Sequence, residues 1–132
     1  MKKSLLIWGL VIANMAIANA FNELSESELL PANDGYYGCY IYDKYKIIGS
    51  MNKNGLFIDN VFFKLTSKKD LLELGENKGK TAIYTYQNNK LTFYRAKKAT
   101  FNDGVIHYSV KMTYQKTNLK PKTYHLLVEC GA

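Results

Sequence analysis

The chain has few of the residues that most often carry chemistry in proteins. Its 132 residues include two cysteines, two histidines, two prolines and one tryptophan. Cys39, Cys130, His107 and His125 show neither the CxxC nor the HxxxH spacing of metal sites. Motifs such as GxSxG, HExxH and the phosphate-binding glycine loop are also missing. We therefore expect no enzyme activity, no metal ion and no cofactor.

Arginine is almost absent, because Arg95 is one residue among eighteen basic ones and the other seventeen are lysines. The formal net charge is +7. Basic residues interleaved with aromatic ones can bind single-stranded nucleic acid, but these lysines are scattered along the chain. The charge instead predicts attraction to an acidic partner, which is a protein, an anionic glycan or a membrane surface. Of these we expect a protein, and we expect no nucleic acid.

One long apolar run is present, at the start of the chain. Residues 1–3 include two lysines, residues 5–13 are apolar, and residues 18–20 are Ala-Asn-Ala. These three parts predict a secretory signal peptide, residues 1–20, that is cleaved at its end. Retention as an anchor is the alternative, although an uncharged run of about seventeen residues is at the lower limit for spanning a bilayer. Residues 21–132 are expected to form a single periplasmic or secreted domain without stable membrane insertion.

Cys39 and Cys130 are predicted to form a disulfide. An exported protein folds in an oxidising compartment, where an even number of cysteines is usually bridged. Closing a loop of about ninety residues stabilises the folded state by up to about 4 to 5 kcal/mol in the chain-entropy model. Strand alternation places Cys39 with Ile41, and Cys130 with Val128, on inward faces. We expect a buried bridge between adjacent or facing strands that ties the first strand to the last.

Apolar residues recur with a period of two over most of the chain after residue 35. The clearest example is residues 105–116, whose alternation is typical of a half-buried antiparallel strand. Two-residue turns are predicted at Asp103-Gly104, Asn88-Asn89 and Asn54-Gly55, and Asp59-Asn60 is expected to interrupt the strand that follows. The pattern predicts an all-β domain of about seven or eight strands, folded as a small antiparallel sandwich or barrel.

Residues 80–116 are predicted to form a continuous antiparallel meander. Alternation places a set of large side chains on its core side: Tyr84, Tyr86, Phe93, Phe101, Ile106, Tyr108, Val110, Met112 and Tyr114. The same alternation directs Arg95 and Lys97 inward, where unpaired charges are costly. A β-bulge near residues 96–99 is therefore expected.

Two short helices are predicted besides the strands. One covers residues 22–30 and ends before Pro31. The other begins at Ser67, with Asp70 in a position like that of a capping box and Gly75 at a left-handed C-cap. Both are expected to serve as connectors.

Tyrosine is abundant, with eleven residues in the chain. A group of them crowds into ten positions beside Lys44 and Lys46: Tyr36, Tyr37, Tyr40, Tyr42 and Tyr45. Because alternation cannot bury them all, some are expected at a recognition surface, where tyrosine combines large contact area with a polar tip. The alternative is a strand covered on both faces. The predicted partner-binding residues are Tyr36, Tyr40, Tyr42, Lys44, Tyr45 and Lys46, and the second candidate surface is Tyr94, His107 and Lys111.

Size, signal peptide, one disulfide and all-β character together resemble small periplasmic inhibitors and toxin-immunity proteins, a likeness of architecture that supplies no site residue. The leading hypothesis is an exported binding protein that occludes its partner. One alternative is a carrier of a small apolar ligand within a β-barrel. Another is a hydrolase, which needs His107 or His125 beside a nucleophile such as Ser109 or a carboxylate such as Glu129. No oligomeric state is predicted.

Overall fold

The computed structural model describes residues 21–29 and 38–131. The predicted signal peptide, Tyr36 and Tyr37 lie outside these ranges. The described part contains nine strands: β1 (Gly38–Asp43), β2 (Lys46–Asn52), β3 (Gly55–Ile58), β4 (Val61–Leu65), β5 (Thr81–Tyr86), β6 (Asn89–Tyr94), β7 (Thr100–Asn102), β8 (Val105–Gln115) and β9 (Lys122–Gly131). A helix, α1 (Leu71–Gly75), lies between β4 and β5, and a 3₁₀ turn covers Glu26–Glu28.

The strands close into a barrel. Each strand from β1 to β5 pairs with the next along the chain, β8 pairs with β9, and β9 pairs back to β1. A pairing between β6 and β8 completes the ring, so eight antiparallel strands form the barrel and β7 adds a short extra strand beside β8. The all-β prediction is confirmed, and the fold is a barrel rather than a sandwich. Closure pairs the backbone groups that an open sheet would expose at its edges.

Two predicted breaks are tight hairpin turns. Asp59 and Asn60 have φ of 57° and 60°, and Asp103 and Gly104 have φ of 52° and 79°. Positive φ at both central residues is the mark of a type I′ turn, which aspartate, asparagine and glycine tolerate better than other residues. Asp59-Asn60 therefore separates β3 from β4, and Asp103-Gly104 connects β7 to β8 as predicted.

The prediction of a turn at Asn54-Gly55 is wrong by one residue. Lys53 and Asn54 form the turn, because Asn52 pairs with Gly55. The Asn52 Oδ1 atom accepts hydrogen bonds from the N–H groups of Asn54 and Gly55 at 2.9 and 3.2 Å, so an asparagine ahead of the turn organises it. Gly55 is required for packing, since a Cβ there would lie 2.3 Å from the Phe63 carbonyl oxygen.

The turn predicted at Asn88-Asn89 is also displaced by one residue. Gln87 takes the positive φ of 53°, and Tyr86 pairs with Asn89 rather than with Leu91. The turn is therefore Gln87-Asn88. Because the partner of Tyr86 changes by two positions, each side chain still lies on its predicted face of the sheet.

Inward side chains fill the barrel. The largest fully buried side chains of the strands are Tyr84, Phe63, Phe93, Ile41, Ile48, Met51, Leu56, Ile58, Leu91 and Met112, and Leu71 and Leu74 of α1 are equally buried. Most of the predicted core side of the meander is confirmed, but Phe101 and Tyr86 are 72% and 40% exposed. Phe101 belongs to β7, which lies outside the closed ring and has no opposite wall, and Tyr86 is the last residue of β5 beside the turn.

Helix α1 packs against the barrel through Leu71, Leu72, Leu74 and Gly75, which are buried. The Leu71 N–H donates to the Tyr84 hydroxyl oxygen at 3.2 Å, and the Tyr108 hydroxyl donates to the Leu71 carbonyl oxygen. Burial raises the pKa of Tyr108 far above its ordinary value, so this hydroxyl remains a donor. Two tyrosines of the barrel thus hold the first residue of the helix in place.

The helix begins later than predicted. Asp70, not Ser67, is the N-cap: its carboxylate accepts from the Glu73 N–H at 2.9 Å, and the Glu73 carboxylate accepts from the Asp70 N–H at 3.2 Å. This is a complete capping box. Gly75 is the last helical residue rather than a left-handed cap. A glycine fits this position because a Cβ there would lie 2.9 Å from a β8 side chain. Asn77, with φ of 61°, takes the left-handed conformation instead.

Residues 21–29 pack onto the barrel away from α1. Phe21 is buried, with its ring centroid 4.9 Å from that of Tyr124 and 6.3 Å from that of Tyr114. The helix predicted for residues 22–30 is wrong, because the segment forms only the 3₁₀ turn within its described part. The Leu24 N–H donates to a β2 carbonyl oxygen at 2.8 Å, so the chain before the turn is held extended.

The predicted disulfide is confirmed. Cys39 of β1 and Cys130 of β9 are register partners on adjacent strands, their Cα atoms are 4.1 Å apart, and both are fully buried. The bridge therefore joins the first barrel strand to the last. A buried disulfide of this kind indicates an oxidising, non-cytoplasmic environment. Among the described residues, no helix has the length and apolar character needed to cross a membrane.

Candidate functional site on the outer face of strands β1, β9 and β8

Strands β1, β9 and β8 are neighbours in the barrel wall, and their outward side chains form cross-strand rows that continue onto β6. We name this set of residues the outer face. Its three rows are Tyr40, Glu129 and His107; Tyr42, Leu127 and Ser109; and His125, Lys111 and Tyr94.

Strand alternation explains why this face points to solvent. Ile41 and Val128 point into the barrel and are buried, so the residues beside them in each strand point outward. Leu127 is 49% exposed and Tyr94 is 40% exposed, and Tyr42 is half-buried. Large, partly exposed apolar side chains that lie side by side are typical of recognition surfaces.

The predicted tyrosine and lysine residues occupy two places. Tyr40 and Tyr42 lie on the outer face, while Lys44, Tyr45 and Lys46 belong to the turn between β1 and β2 and the start of β2. Lys44 has φ of 59° and Tyr45 is 97% exposed. Tyr36, the remaining member of the predicted set, lies outside the described residues.

The sequence prediction omitted the contribution of β9. Leu127 lies directly opposite Tyr42, and Glu129 lies directly opposite Tyr40. The predicted disulfide could have indicated both neighbours. If Cys39 and Cys130 are register partners on antiparallel strands, then counting forward along β1 and backward along β9 pairs Tyr40 with Glu129 and Tyr42 with Leu127. The missing information was that β1 and β9 are adjacent rather than facing.

Glu129 links two other groups of the outer face. Its Oε2 atom lies 3.4 Å from His107 Nδ1, and both side chains are about 40% exposed. Burial is the main cause that raises the pKa of Tyr42. The charge of Glu129 and its hydrogen bond to Tyr42 raise this pKa further. The Tyr42 hydroxyl therefore stays protonated and is directed to the Glu129 carboxylate. Together the three side chains form a polar group that joins the first row of the outer face to the second.

His107 and Glu129 are a histidine and a carboxylate side by side, one of the two arrangements that the hydrolase hypothesis named. Ser109 lies two positions along β8 from His107 and points to the same side. In the part of the chain that the structure describes, however, no hydrogen bond joins Ser109 to either histidine. Nucleophilic catalysis needs contact between nucleophile and base, a contact that these described side chains do not make.

A gap interrupts the wall beside the outer face. β6 pairs with β8 as far as Tyr94 and Lys111, and β7 pairs with β8 from Thr100 and His107 onward. The chain between β6 and β7 leaves the sheet, so the described pairings of residues 108–110 are with β9 alone. The bulge predicted near residues 96–99 is thus a complete break between two strands.

Arg95 holds this break in place. Its side chain is only 5% exposed, as alternation predicts, and its N–H donates to the Lys80 carbonyl oxygen at 2.8 Å. Its guanidinium donates to the carbonyl oxygens of Gly79 and Lys97 at 3.2 and 2.5 Å. Lys97 itself is exposed, because the irregularity predicted at this place frees its side chain from the inward position that strand alternation would give it.

Two adjoining hollows flank Ser109 at the gap. Their volumes are about 350 and 380 Å³, and both are lined by Ala96, Ser109 and Leu127. Further residues distinguish them: Tyr94, Val110, Lys111, His125 and Leu126 line the first, and Lys97, Lys98, Thr100, His107 and Tyr108 line the second. The second hollow therefore has a more basic rim than the first.

Positive charge dominates this region. Lys97, Lys98 and Lys111 line the hollows, whereas Glu129 is the one acidic residue of the outer face. The Lys111 Nζ atom lies 5.9 Å from the centroid of the Tyr94 ring, within the range of a cation–π contact. A partner with acidic groups would be attracted to these hollows.

Comparisons with known proteins supply no template for this site. No protein-family model matches the chain, and no curated protein or solved structure matches it either. Among the described residues, no cluster of three or more histidine, cysteine, aspartate or glutamate side chains is placed to hold a metal ion. The outer face must therefore be interpreted from its own geometry.

Proposed function

We propose that this protein is an exported binding protein that occludes a protein partner with its outer face, in the manner of a periplasmic inhibitor or immunity protein. The observation that carries the proposal is the pair formed by Tyr42 and Leu127 at the middle of the face. A tyrosine and a leucine side by side, with basic and polar groups around them, have the composition of an interface core with a polar rim.

The rigidity of the barrel supports this proposal. Tyr42 stands beside Ile41, which points inward and is fully buried, and the next inward pair of the same two strands, two positions beyond Ile41 and Val128, is the disulfide. Side chains presented by such a wall lose little freedom when a partner binds, and preorganisation of this kind improves affinity. Tyrosine is itself among the residues most enriched at interface hot spots.

The charge distribution indicates the kind of partner. Lys44 and Lys46 lie at the turn beyond Tyr42, and Lys111 lies at the other side of the face. Complementary charge at an interface accelerates encounter and suppresses association with wrong partners. The partner surface that fits is therefore acidic at its margin and apolar at its centre.

The carrier alternative has less support. Large side chains such as Tyr84, Phe63 and Phe93 are fully buried within the ring of strands, in the place where a small barrel that carries a ligand would hold it. A carrier function would require these side chains to be displaced or rearranged.

The proposal is tested by isolating the partner from the periplasm or medium of the source cells and measuring its affinity after purification. The test variant is Tyr42→Ala with Leu127→Ser, and the matched control is Lys64→Ala with Thr85→Ala on the outward sides of β4 and β5. We expect the control to bind like the wild type and the test variant to bind at least about a hundredfold more weakly, as for a hot-spot pair. Equal affinity of the test variant and the wild type would refute the proposal.

A further inference from the structure

Ser109 has a backbone N–H group that the described barrel does not use. In a two-residue hairpin the residue after the turn donates to the residue before it, so the Val105 N–H points to β7. The Thr100 hydroxyl donates to the His107 carbonyl oxygen at 3.3 Å, which places the backbone groups of His107 on the same side. Direction alternates along a strand, so the Ser109 N–H also points to that side. There the ladder with β6 ends at Lys111 and the ladder with β7 begins at His107, so the N–H projects into the gap.

The size of the gap limits what it can hold. Tyr94 lies opposite Lys111 and Thr100 lies opposite His107, so β6 and β7 close the gap at both ends. An extended strand covers about 13 Å over the four steps between His107 and Lys111. That length is too short for a further strand and long enough for a small molecule. The hollows that flank Ser109 have volumes of about 350 and 380 Å³, within the range of small-molecule sites, roughly 300 to 1,000 Å³.

The connecting chain between β6 and β7 brings positive charge to the gap. Lys97 and Lys98 line the second hollow, and none of the described residues that line either hollow is acidic. Arg95 is buried behind them, and its guanidinium donates to the Lys97 carbonyl oxygen. Among the described residues, no carboxylate forms an ion pair with Arg95, and its Nε atom has no hydrogen-bond partner. A buried cation without a counter-ion is destabilising, so an anion bound nearby would stabilise it.

The backbone that carries the two lysines is fixed on both sides of Lys98. Before it, the Arg95 N–H donates to the Lys80 carbonyl oxygen at 2.8 Å. After it, the Ala99 N–H donates to Asn77 Oδ1 at 3.2 Å. Because this segment is already held in place, less freedom is lost when a ligand binds to it.

The surface beside these charges is apolar. Ala96 and Leu127 line both hollows, and Leu127 is 49% exposed. Glu129, the acidic residue of the outer face, lies 3.4 Å from His107 and does not line either hollow. The gap therefore combines an apolar surface, a backbone donor and positive charge. Together these groups recognise a carboxylate attached to an apolar body.

We infer that the gap binds a small organic acid. Its carboxylate accepts a hydrogen bond from the Ser109 N–H and is attracted by Lys97 and Lys98. Its apolar body lies on Ala96 and Leu127. The site is in the barrel wall and leaves the packed interior unchanged. The inference goes beyond the proposed function and does not depend on it, because the ligand is a small molecule and not the protein partner.

The test is titration of the ¹⁵N-labelled, disulfide-bonded protein with hydrocinnamate and with its neutral analogue hydrocinnamamide. We expect the N–H resonance of Ser109 to shift with hydrocinnamate and to reach saturation. The neutral analogue should bind at least about tenfold more weakly, because it lacks the charge. Acetate, which lacks the apolar body, should also bind at least about tenfold more weakly. No saturable shift at Ser109, or equal affinity for hydrocinnamate and either of the other compounds, would overturn the inference.

Variants of the protein test the role of the lysines. Lys97→Gln with Lys98→Gln should weaken the binding of hydrocinnamate about tenfold or more. The control, Lys64→Gln with Lys90→Gln on β4 and β6, removes the same net charge and should bind like the wild type. All four lysines are exposed, so both variants are expected to fold. Unchanged affinity after Lys97→Gln with Lys98→Gln, or equal weakening by the control, would overturn the inference.

A protein that ends in phenylalanine offers the same carboxylate and ring at its C-terminus. The peptide acetyl-Gly-Gly-Phe carries these groups on a chain, which the ends of β6 and β7 would obstruct. We therefore expect the peptide to bind more weakly than hydrocinnamate. Tighter binding of the peptide would overturn the assignment of a free acid as the ligand.

Discussion

Tyr42 and Leu127 lie directly opposite each other on neighbouring strands, although one belongs to the first strand of the barrel and the other to the last. The next pair along the same two strands, Ile41 and Val128, is buried. The pairing of β1 with β9 thus brings the tyrosine and lysine cluster, which is early in the described sequence, beside the histidine-containing strands, which are late in it. The outer face therefore exists only when β1 and β9 are paired.

Truncation of the tyrosine should weaken binding without unfolding the barrel. Tyr42→Ala is expected to cost about 2 kcal/mol or more of binding free energy, because the ring contributes large area at the centre of the face. The free energy of unfolding should change little, since the side chain points outward. Calorimetric titration and denaturant unfolding measure the two quantities. The control variant Tyr86→Ala, at a tyrosine of β5 that is 40% exposed, should affect neither binding nor its enthalpy. Loss of several kcal/mol of stability, with unimpaired binding by the folded fraction, would make Tyr42 a core residue.

Charge at the β1–β2 turn should act on the rate of association. Replacing Lys44 and Lys46 with alanine is expected to slow association and to weaken its dependence on salt, because charges at the rim of an interface act mainly on encounter. The dissociation rate should remain near that of the wild type. Stopped-flow mixing at several ionic strengths measures both rates, with Lys64→Ala as the control. A faster dissociation rate with unchanged association would contradict the assignment of these lysines to the rim.

Local sequence rules predicted the faces of the strands well and the contacts between strands less well. Alternation placed Cys39, Ile41, Leu126 and Val128 inward as the barrel has them. It failed for Phe101, because burial there depends on whether another wall lies opposite. Turn prediction had the same limit at Gly55. This glycine lies in a strand because the backbone of Phe63 is too close for a Cβ, and the local sequence does not predict that contact.

The candidate site could be predicted only in part for the same reason. Tyr40 and Tyr42 were accessible from composition and alternation, whereas Glu129 and Leu127 become their neighbours only through the pairing of β1 with β9. The gap at Ser109 depends on the partly buried hydrogen bonds that Arg95 donates to the carbonyl oxygens of Gly79 and Lys97. A charged residue at an inward position predicted an irregularity, but not its extent.

Removal of the disulfide should destabilise the barrel at the pairing of β1 with β9. The cysteines are separated by 91 positions, so the Cys39→Ser, Cys130→Ser variant is expected to lose up to about 4 to 5 kcal/mol of unfolding free energy. Denaturant unfolding with and without reductant measures this loss. Thiol labelling of the unfolded, unreduced wild type should detect no free thiol, and two reactive thiols per chain would disprove the bridge.

Alkaline pH should weaken the packing of α1 on the barrel. Burial raises the pKa of Tyr108 in the folded state, while an unfolded tyrosine titrates near pH 10. The stabilisation linked to this group is therefore fully present below about pH 10 and is lost as the pH rises above it. Tyr108→Phe should be less stable at neutral pH, because the Leu71 carbonyl oxygen loses its donor, and should decline less steeply above about pH 10. The exposed Tyr45→Phe serves as control, and identical alkaline profiles for Tyr108→Phe and the wild type would contradict this role.

The central claim, that the outer face contacts a protein partner, is tested most directly by site-specific photocrosslinking in the source cells. A benzophenone amino acid is placed at position 42, 127 or 86 in place of Tyr42, Leu127 or Tyr86, and adducts are identified by mass spectrometry. We predict that positions 42 and 127 give an adduct with the same protein and that position 86 does not. Adducts at position 86 without any at 42 and 127, or different proteins at each of the two outer-face positions, would contradict the account.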